Sequence, residues 1–196
     1  MTMFNRHPDP RSGLVIDTHE LGRRVGAMKE IQRVAEAPEG IGMDVIGVPP
    51  GSPVDLDLRL ESVVEGVLVT GTAEVSLQGQ CARCLERIDS AEEVDLQELY
   101  LYPDKEPDDD EASRIEDELI DLEPLLRDTV VLDLPYTPVC RPDCAGLCPE
   151  CGANLNADPD HAHDDRVDPR WAGLSGWAAD PDDDNEQASQ QAESKE

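Results

Sequence analysis

Between Pro53 and Glu61 apolar and polar side chains alternate without a break: Val54, Leu56, Leu58 and Leu60 on one side, Asp55, Asp57, Arg59 and Glu61 on the other. Period two marks a strand with one face buried and one in water. Gly66-Val67-Leu68-Val69-Thr70 and Ala73-Glu74-Val75-Ser76-Leu77 continue this texture, with Gly71-Thr72 expected to form a bend or bulge between them, and Ile88 to Tyr102 alternates loosely. Short spacings between these runs imply antiparallel hairpins. Upstream, Leu14-Val15-Ile16 reads as a short strand. Asp17 followed by Glu20 has the form of a capping box, and Leu21, Val25, Met28 and Ile31 recur at near-helical spacing, so a short helix is expected there despite Gly22 and Gly26. Downstream, Ile120, Leu122, Leu125, Leu126, Thr129 and Val130 predict an amphipathic helix, with Asp121 as its cap, Pro124 in its first turn and Pro135 as its stop.

The expected fold class is α+β: an antiparallel β-sheet or partly open barrel, one or two packed helices, and a Cys-rich C-terminal zinc module. The aromatic fraction is only 3%, so the core must be built from Val, Leu and Ile. Residues 1–12 read as a flexible leader and 13–177 as the folded domain, with an acidic loop at 103–118, a Cys-rich segment at 136–163 and a disordered acidic tail at 178–196.

Charge changes the picture next. The formal net charge is −29, and it is unevenly spread: residues 104–123 hold eleven acids against Lys105 and Arg114, whereas residues 1–40 balance six acids with six bases. No run approaches the roughly 20 apolar residues of a membrane span, and the N-terminus lacks the apolar run of a secretion signal. A cytoplasmic protein without a membrane partner is expected. Disulfides are rare in that compartment, so six cysteines in close pairs point to metal ligands or redox thiols.

Their spacing carries the chemistry. Cys81-Ala82-Arg83-Cys84 follows a strand, and C-x-x-C lets two thiolates reach one ion from a tight turn. Cys140 to Cys151 supply a C-x3-C and a second C-x-x-C, closing on Cys148-Pro149-Glu150-Cys151-Gly152, the form of a zinc knuckle. Structural zinc takes four Cys or His ligands, so one or two Zn2+ ions are expected. In a two-site scheme Cys81, Cys84, Cys140 and Cys144 hold one ion, and Cys148, Cys151, His161 and His163 the other. In a second scheme the knuckles pair, Cys81 and Cys84 with Cys148 and Cys151; in a third, Cys140, Cys144, Cys148 and Cys151 form a local site. Four such ligands leave no open coordination position, so the metal would clamp the chain and not catalyse. No HExxH and no Gly-rich phosphate loop accompanies them.

The chain resembles the YceD family, the large ribosomal RNA subunit accumulation proteins. The resemblance rests on Cys81-Ala82-Arg83-Cys84-Leu85-Glu86, on Asp121-Leu122 through Leu132-Asp133-Leu134-Pro135, on Pro138-Val139-Cys140, on Cys144 through Asn156, and on Asp168-Pro169-Arg170-Trp171 with Leu174. With Leu14-Val15-Ile16-Asp17-Thr18-His19-Glu20-Leu21 it is similar to members from high-GC Gram-positive bacteria. The resemblance implies a non-enzymatic role in large-subunit assembly or 23S rRNA accumulation, with the precursor subunit, 23S rRNA or basic ribosomal proteins as partners. One departure stands out: His161-Ala162-His163 lies where family members often carry Cys-x-Cys.

An RNA surface should be basic. The candidates are Arg23, Arg24, Lys29, Arg33, Arg83 and Arg170, with Arg87 and Arg166 nearby in sequence, whereas the acidic segments suit basic ribosomal proteins. The competing functional class is a zinc-dependent redox switch or chaperone that releases metal when its thiolates oxidise.

Overall fold

The structure is a computed structural model that describes residues 8–105, 112–163 and 170. Most of the expected leader, the centre of the acidic loop, Arg166, the Trp171 region and the tail lie outside the described residues. Two compact units are distinguished, Met1–Ala157 and Asp158–Glu196.

The first unit is an open antiparallel sheet. Its strands are β2 (Met28–Glu36), β3 (Gly42–Met43), β4 (Ile46–Gly47), β5 (Pro53–Ser62), β6 (Gly66–Gln80) and β7 (Arg87–Leu101). β6 is the organiser: β5 and β4 pair along one of its sides, β7 pairs along its full length on the other, and β2 and β3 lie beyond β5 and β4. A separate two-stranded sheet joins β1 (Val15–Asp17) to β8 (Leu119–Asp121), and β8 leads into the single helix among the described residues, α1 (Glu123–Asp133).

Alternation sets the core. In β5, Val54, Leu56, Leu58 and Leu60 are all buried while Asp55, Asp57 and Arg59 face water. Val67, Val69, Val75 and Leu77 of β6 and Val94, Leu96 and Tyr100 of β7 extend the same apolar face. Leu122 at the N-cap and Leu126 and Val130 within α1 recur every fourth residue, so one stripe of the helix and its cap enters this core together with Ile16 and Ile120. Tyr100 donates its hydroxyl to the Asp121 carbonyl at 3.0 Å, and the Tyr102 and Ser62 hydroxyls meet at 2.9 Å; the two buried tyrosines thus keep their polar tips satisfied.

Three sequence expectations change. The helix expected after Asp17 is absent: Asp17 Oδ1 accepts the His19 amide in a local turn, Gly22 and Gly26 take positive φ, and Met28–Glu36 forms β2 instead. Glu20 pairs with Lys29 at 2.8 Å, so it caps nothing. The long-range ladder to β5 outweighs a helical pattern already weakened by two glycines. Gly71-Thr72 is no interruption, because β6 runs unbroken through it. At Gly71 (φ 154°) a Cβ would lie 2.0 Å from the Asp57 carbonyl oxygen, so glycine is required by the close approach of β5. Finally, Ile120 belongs to β8, and α1 starts after Leu122, with Asp121 Oδ1 accepting the Glu123 amide at 2.9 Å.

In the acidic segment, the Leu101 amide donates to the Ser113 carbonyl and the Ile115 amide to the Leu101 carbonyl at the end of β7, and Ile115 is buried. No helix among the described residues is long and apolar enough to cross a membrane.

Candidate metal centre

The β6–β7 hairpin does not close in a two-residue turn. Its tip is Cys81–Glu86, held by Cys81 N donating to the Glu86 carbonyl at 2.8 Å and Leu85 N donating to the Cys81 carbonyl at 2.9 Å. This frame forces Leu85 to φ 61°, and it aims the Cys81 and Cys84 thiols inward. The chain leaving α1 comes back beneath the tip. Leu134 before Pro135 is extended, as a residue preceding proline must be, and Ala82 N then donates to the Pro138 carbonyl at 2.8 Å.

That return brings the second pair to the first. Cys81 Sγ lies 3.8 Å from Cys144 Sγ, and Cys84 Sγ lies 3.6 Å from Cys140 Sγ. All four sulfurs are within 4.8 Å of one another. Tetrahedral zinc with bonds of about 2.3 Å separates its sulfur ligands by about 3.8 Å, so the four positions fit one such ion. They do not fit disulfides, which require S–S contacts of about 2.05 Å.

Polar groups around the sulfurs act on them unequally. Burial pushes the Cys140 thiol up, and contact with Cys84, Cys144 and Cys81 adds to it. The Glu86 amide pulls Cys84 down, but burial and the neighbouring thiols outweigh it and the net shift is upward. Asn156 draws Cys144 down through its side-chain amide, 3.4 Å from Sγ. For Cys81 burial opposes ionisation, yet the backbone amides of Cys84, Cys140 and Arg83 prevail and lower it. Four thiols this close share their protons as one group, and full ionisation requires a cation among them.

Arg83 locks the two halves together. Its guanidinium donates to the Cys144 carbonyl at 3.0 Å, and its own carbonyl accepts the Leu147 amide at 3.1 Å. Asn156 accepts from the Ala145 amide and from Arg141, while Asn154 donates to Glu86 of the hairpin tip at 2.8 Å. Asn154 and Asn156 carried no role in the sequence reading. Their signal was two amides at alternate positions just beyond a C-x-x-C, suited to bridge turns and donate to sulfur.

Cys148 and Cys151 belong to a second turn in the same unit. Cys148 N donates to the Ala153 carbonyl at 2.8 Å, and Gly152 N to the Cys148 carbonyl at 2.9 Å. The structure does not bring this pair into the first sulfur group, as the knuckle-pairing and local schemes would require. His161 and His163 fall in the other unit, where their Nε2 atoms approach to 2.9 Å with the rings edge to face, and Asp158 accepts the His161 amide at 3.2 Å.

The basic candidates are dispersed. Arg23 pairs with Asp104 at 2.8 Å and lies 4.6 Å over the Tyr102 ring; Lys29 is tied to Glu20, Arg33 donates to the Val15 carbonyl, and Arg83 serves the sulfur group. Arg24 is exposed on a turn, and Arg170 is exposed in the second unit.

The family model for the large ribosomal RNA subunit accumulation protein YceD matches residues 69–176, a span that takes in all six cysteines. The chain belongs to the YceD family. An uncharacterized protein of Mycobacterium tuberculosis is 49% identical over 167 residues, covering 83% of this chain and 80% of the relative. A Mycobacterium leprae relative is 41% identical over 172 residues, with coverage of 86% and 79%. A chloroplastic maize protein named large ribosomal RNA subunit accumulation protein YCED homolog 1 is 30% identical over 145 residues, 58% of this chain and 50% of the maize protein. No solved structure matches the chain. Within this YceD chain, the hairpin tip that opens the sulfur group lies near the start of the matched region.

Proposed function

We propose that this YceD protein is a non-enzymatic cytoplasmic factor for large ribosomal subunit assembly and 23S rRNA accumulation, with zinc as a structural clamp. Family membership carries the ribosomal part of the reading. The four converging sulfurs carry the zinc part. A zinc ion held by Cys81, Cys84, Cys140 and Cys144 would have no open position for substrate, and it would fasten the β6–β7 hairpin to the segment after α1.

A second ion is assigned to Cys148, Cys151, His161 and His163. Support comes from the knuckle turn around Cys148, from the two imidazole nitrogens turned toward each other, and from the nine residues separating Cys151 from His161 in the sequence. Contact with the particle runs mainly through basic ribosomal proteins, because the chain's net charge of −29 opposes binding to bare RNA. Arg23, Arg24, Arg83 and Arg170, all exposed, are the candidates for any RNA contact.

Depletion of the protein should lower the mature large-subunit peak in gradient sedimentation and lengthen the life of 23S precursor. A normal large-subunit profile, combined with oxidant-dependent metal release, would instead support the redox switch. Metal content of the purified chain should be two zinc equivalents, with one lost in Cys81→Ser and the other in His161→Ala.

A further inference from the structure

Among the described residues, the main sheet has a long unpaired edge on β7. Tyr102 N donates to the Glu65 carbonyl, which fixes the even-numbered residues of β7 as those bonded to β6. The odd-numbered residues Asp89, Ala91, Glu93, Asp95 and Gln97 therefore turn their N–H and C=O groups away from the sheet. Among the described residues no strand pairs with this edge until Leu101, whose amide donates to Ser113.

Beside this edge, carboxylates face one another across the strands. Asp55 of β5 stands opposite Glu74 of β6, and Glu74 stands opposite Glu93 of β7. In the neighbouring row Asp57 and Asp95 flank Thr72. All five acids are exposed, and Asp55, Asp57, Glu74 and Glu93 line a groove of about 440 Å³ whose far side is formed by Gln32, Arg33 and Val34 of β2. Of the five, only Asp57 has a side-chain hydrogen bond, from Gln32 at 2.9 Å. Like charges directly opposite one another destabilise a sheet, so this face gains from any ligand that brings cations. The carboxylates do not converge as metal ligands; the groups that do so among the described residues contain cysteine and histidine.

The geometry points to β7 as a docking edge for an extended Lys/Arg-rich polypeptide segment, which adds as a further strand and lays its basic side chains over the carboxylate rows. Main-chain bonds along residues 89–97 supply the attachment, and the rows supply the selection for positive charge. A second copy of the chain would set Glu93 and Asp95 against like charges, since on this edge only Asp89 has a cation beside it, Arg87 at 2.7 Å. RNA would meet the same repulsion and cannot complete a β-ladder. The opposite edge, β2, is a poorer match, since it presents Met28 and Val34 with only two carboxylates, Glu30 and Glu36. The inference deepens the assembly reading and rests on it only for the partner being a basic protein of the particle.

The test uses the purified full-length chain and a fluorescent peptide of about eleven residues alternating Lys and Val, long enough to span the edge. Binding should weaken as salt is added, and amide exchange should slow across residues 89–97. The triple variant Glu74→Gln, Glu93→Gln, Asp95→Asn should bind at least about tenfold more weakly while melting no lower than the wild type. Ala91→Pro removes an outward N–H without taking a ladder bond, keeps every carboxylate, and should also lose at least about tenfold. Should that variant fail to fold, a peptide N-methylated at alternate amides removes the same bonds from the ligand side. Unchanged binding of the methylated peptide, self-association through β7, or tighter competition by an RNA oligonucleotide would each overturn the docking edge. Loss of peptide binding alongside a clear depletion defect in large subunits would overturn it alone; retained binding alongside normal subunits would overturn only the assembly reading.

Discussion

The two C-x-x-C turns of this chain share a backbone frame and differ in nearly everything else. In each, the first cysteine accepts from the residue four positions on and donates to the carbonyl five positions on, at 2.9 and 2.8 Å in both cases. Each places a positive φ directly after the second cysteine, 61° at Leu85 and 74° at Gly152. Yet Cys81 and Cys84 are buried at a hairpin tip and meet thiols 63 and 56 residues away, whereas Cys151 is exposed and its turn follows an irregular segment. Motif spacing determines the turn. Which partners the turn receives depends on the strands and helix that carry it.

Breaking the sulfur group that the first turn enters should have the largest effect. With zinc as the proposed clamp between hairpin and C-terminal segment, chelator treatment or Cys144→Ser is expected to lower the melting temperature by more than about 10 °C. Differential scanning calorimetry checks this. Cys151→Ser should instead cost one zinc equivalent, read by elemental analysis, with the main transition nearly unmoved. Equal losses from both turns would erase the contrast.

A smaller effect is expected from Asn156→Ala. It removes the amide donor to Cys144 Sγ and an acceptor for the Ala145 amide, and should weaken zinc retention in competition with a chromophoric chelator about tenfold. The smallest and most diagnostic change is an exchange between the turns. Leu85 is 60% exposed, so Leu85→Gly gives up little packing while relieving a left-handed leucine, and should stabilise the fold by about 1 kcal/mol. At Gly152 an added Cβ meets nothing within 4 Å, so Gly152→Ala should cost about 1 kcal/mol through φ alone. Both are read from denaturant midpoints.

Legibility from the sequence follows the range of the interactions. The strand β5 was readable because its burial alternates residue by residue, and α1 because Leu122, Leu126 and Val130 share a stripe. The mistaken helix at Asp17 shows the limit. Its local cap and spacing were real patterns, but Lys29, Ile31, Arg33 and Ala35 also alternate, and pairing with β5 decided between the two periods. Arg83 shows a structural role that the sequence did not announce, for a related reason. A cation beside a cysteine pair resembles a surface contact until the fold supplies the Cys144 carbonyl that its guanidinium binds.

By itself the sequence determined the antiparallel texture, the aliphatic core, the candidate ligand types and the two knuckle turns, since each depends on residues within a few positions of one another. Tertiary structure alone decided that Cys81 and Cys84 face Cys140 and Cys144, that Asn156 serves a sulfur, and that carboxylates from three strands line up beside an unpaired edge. Strand register and the return of the chain after Pro135 make those meetings, and neither is written in any one segment.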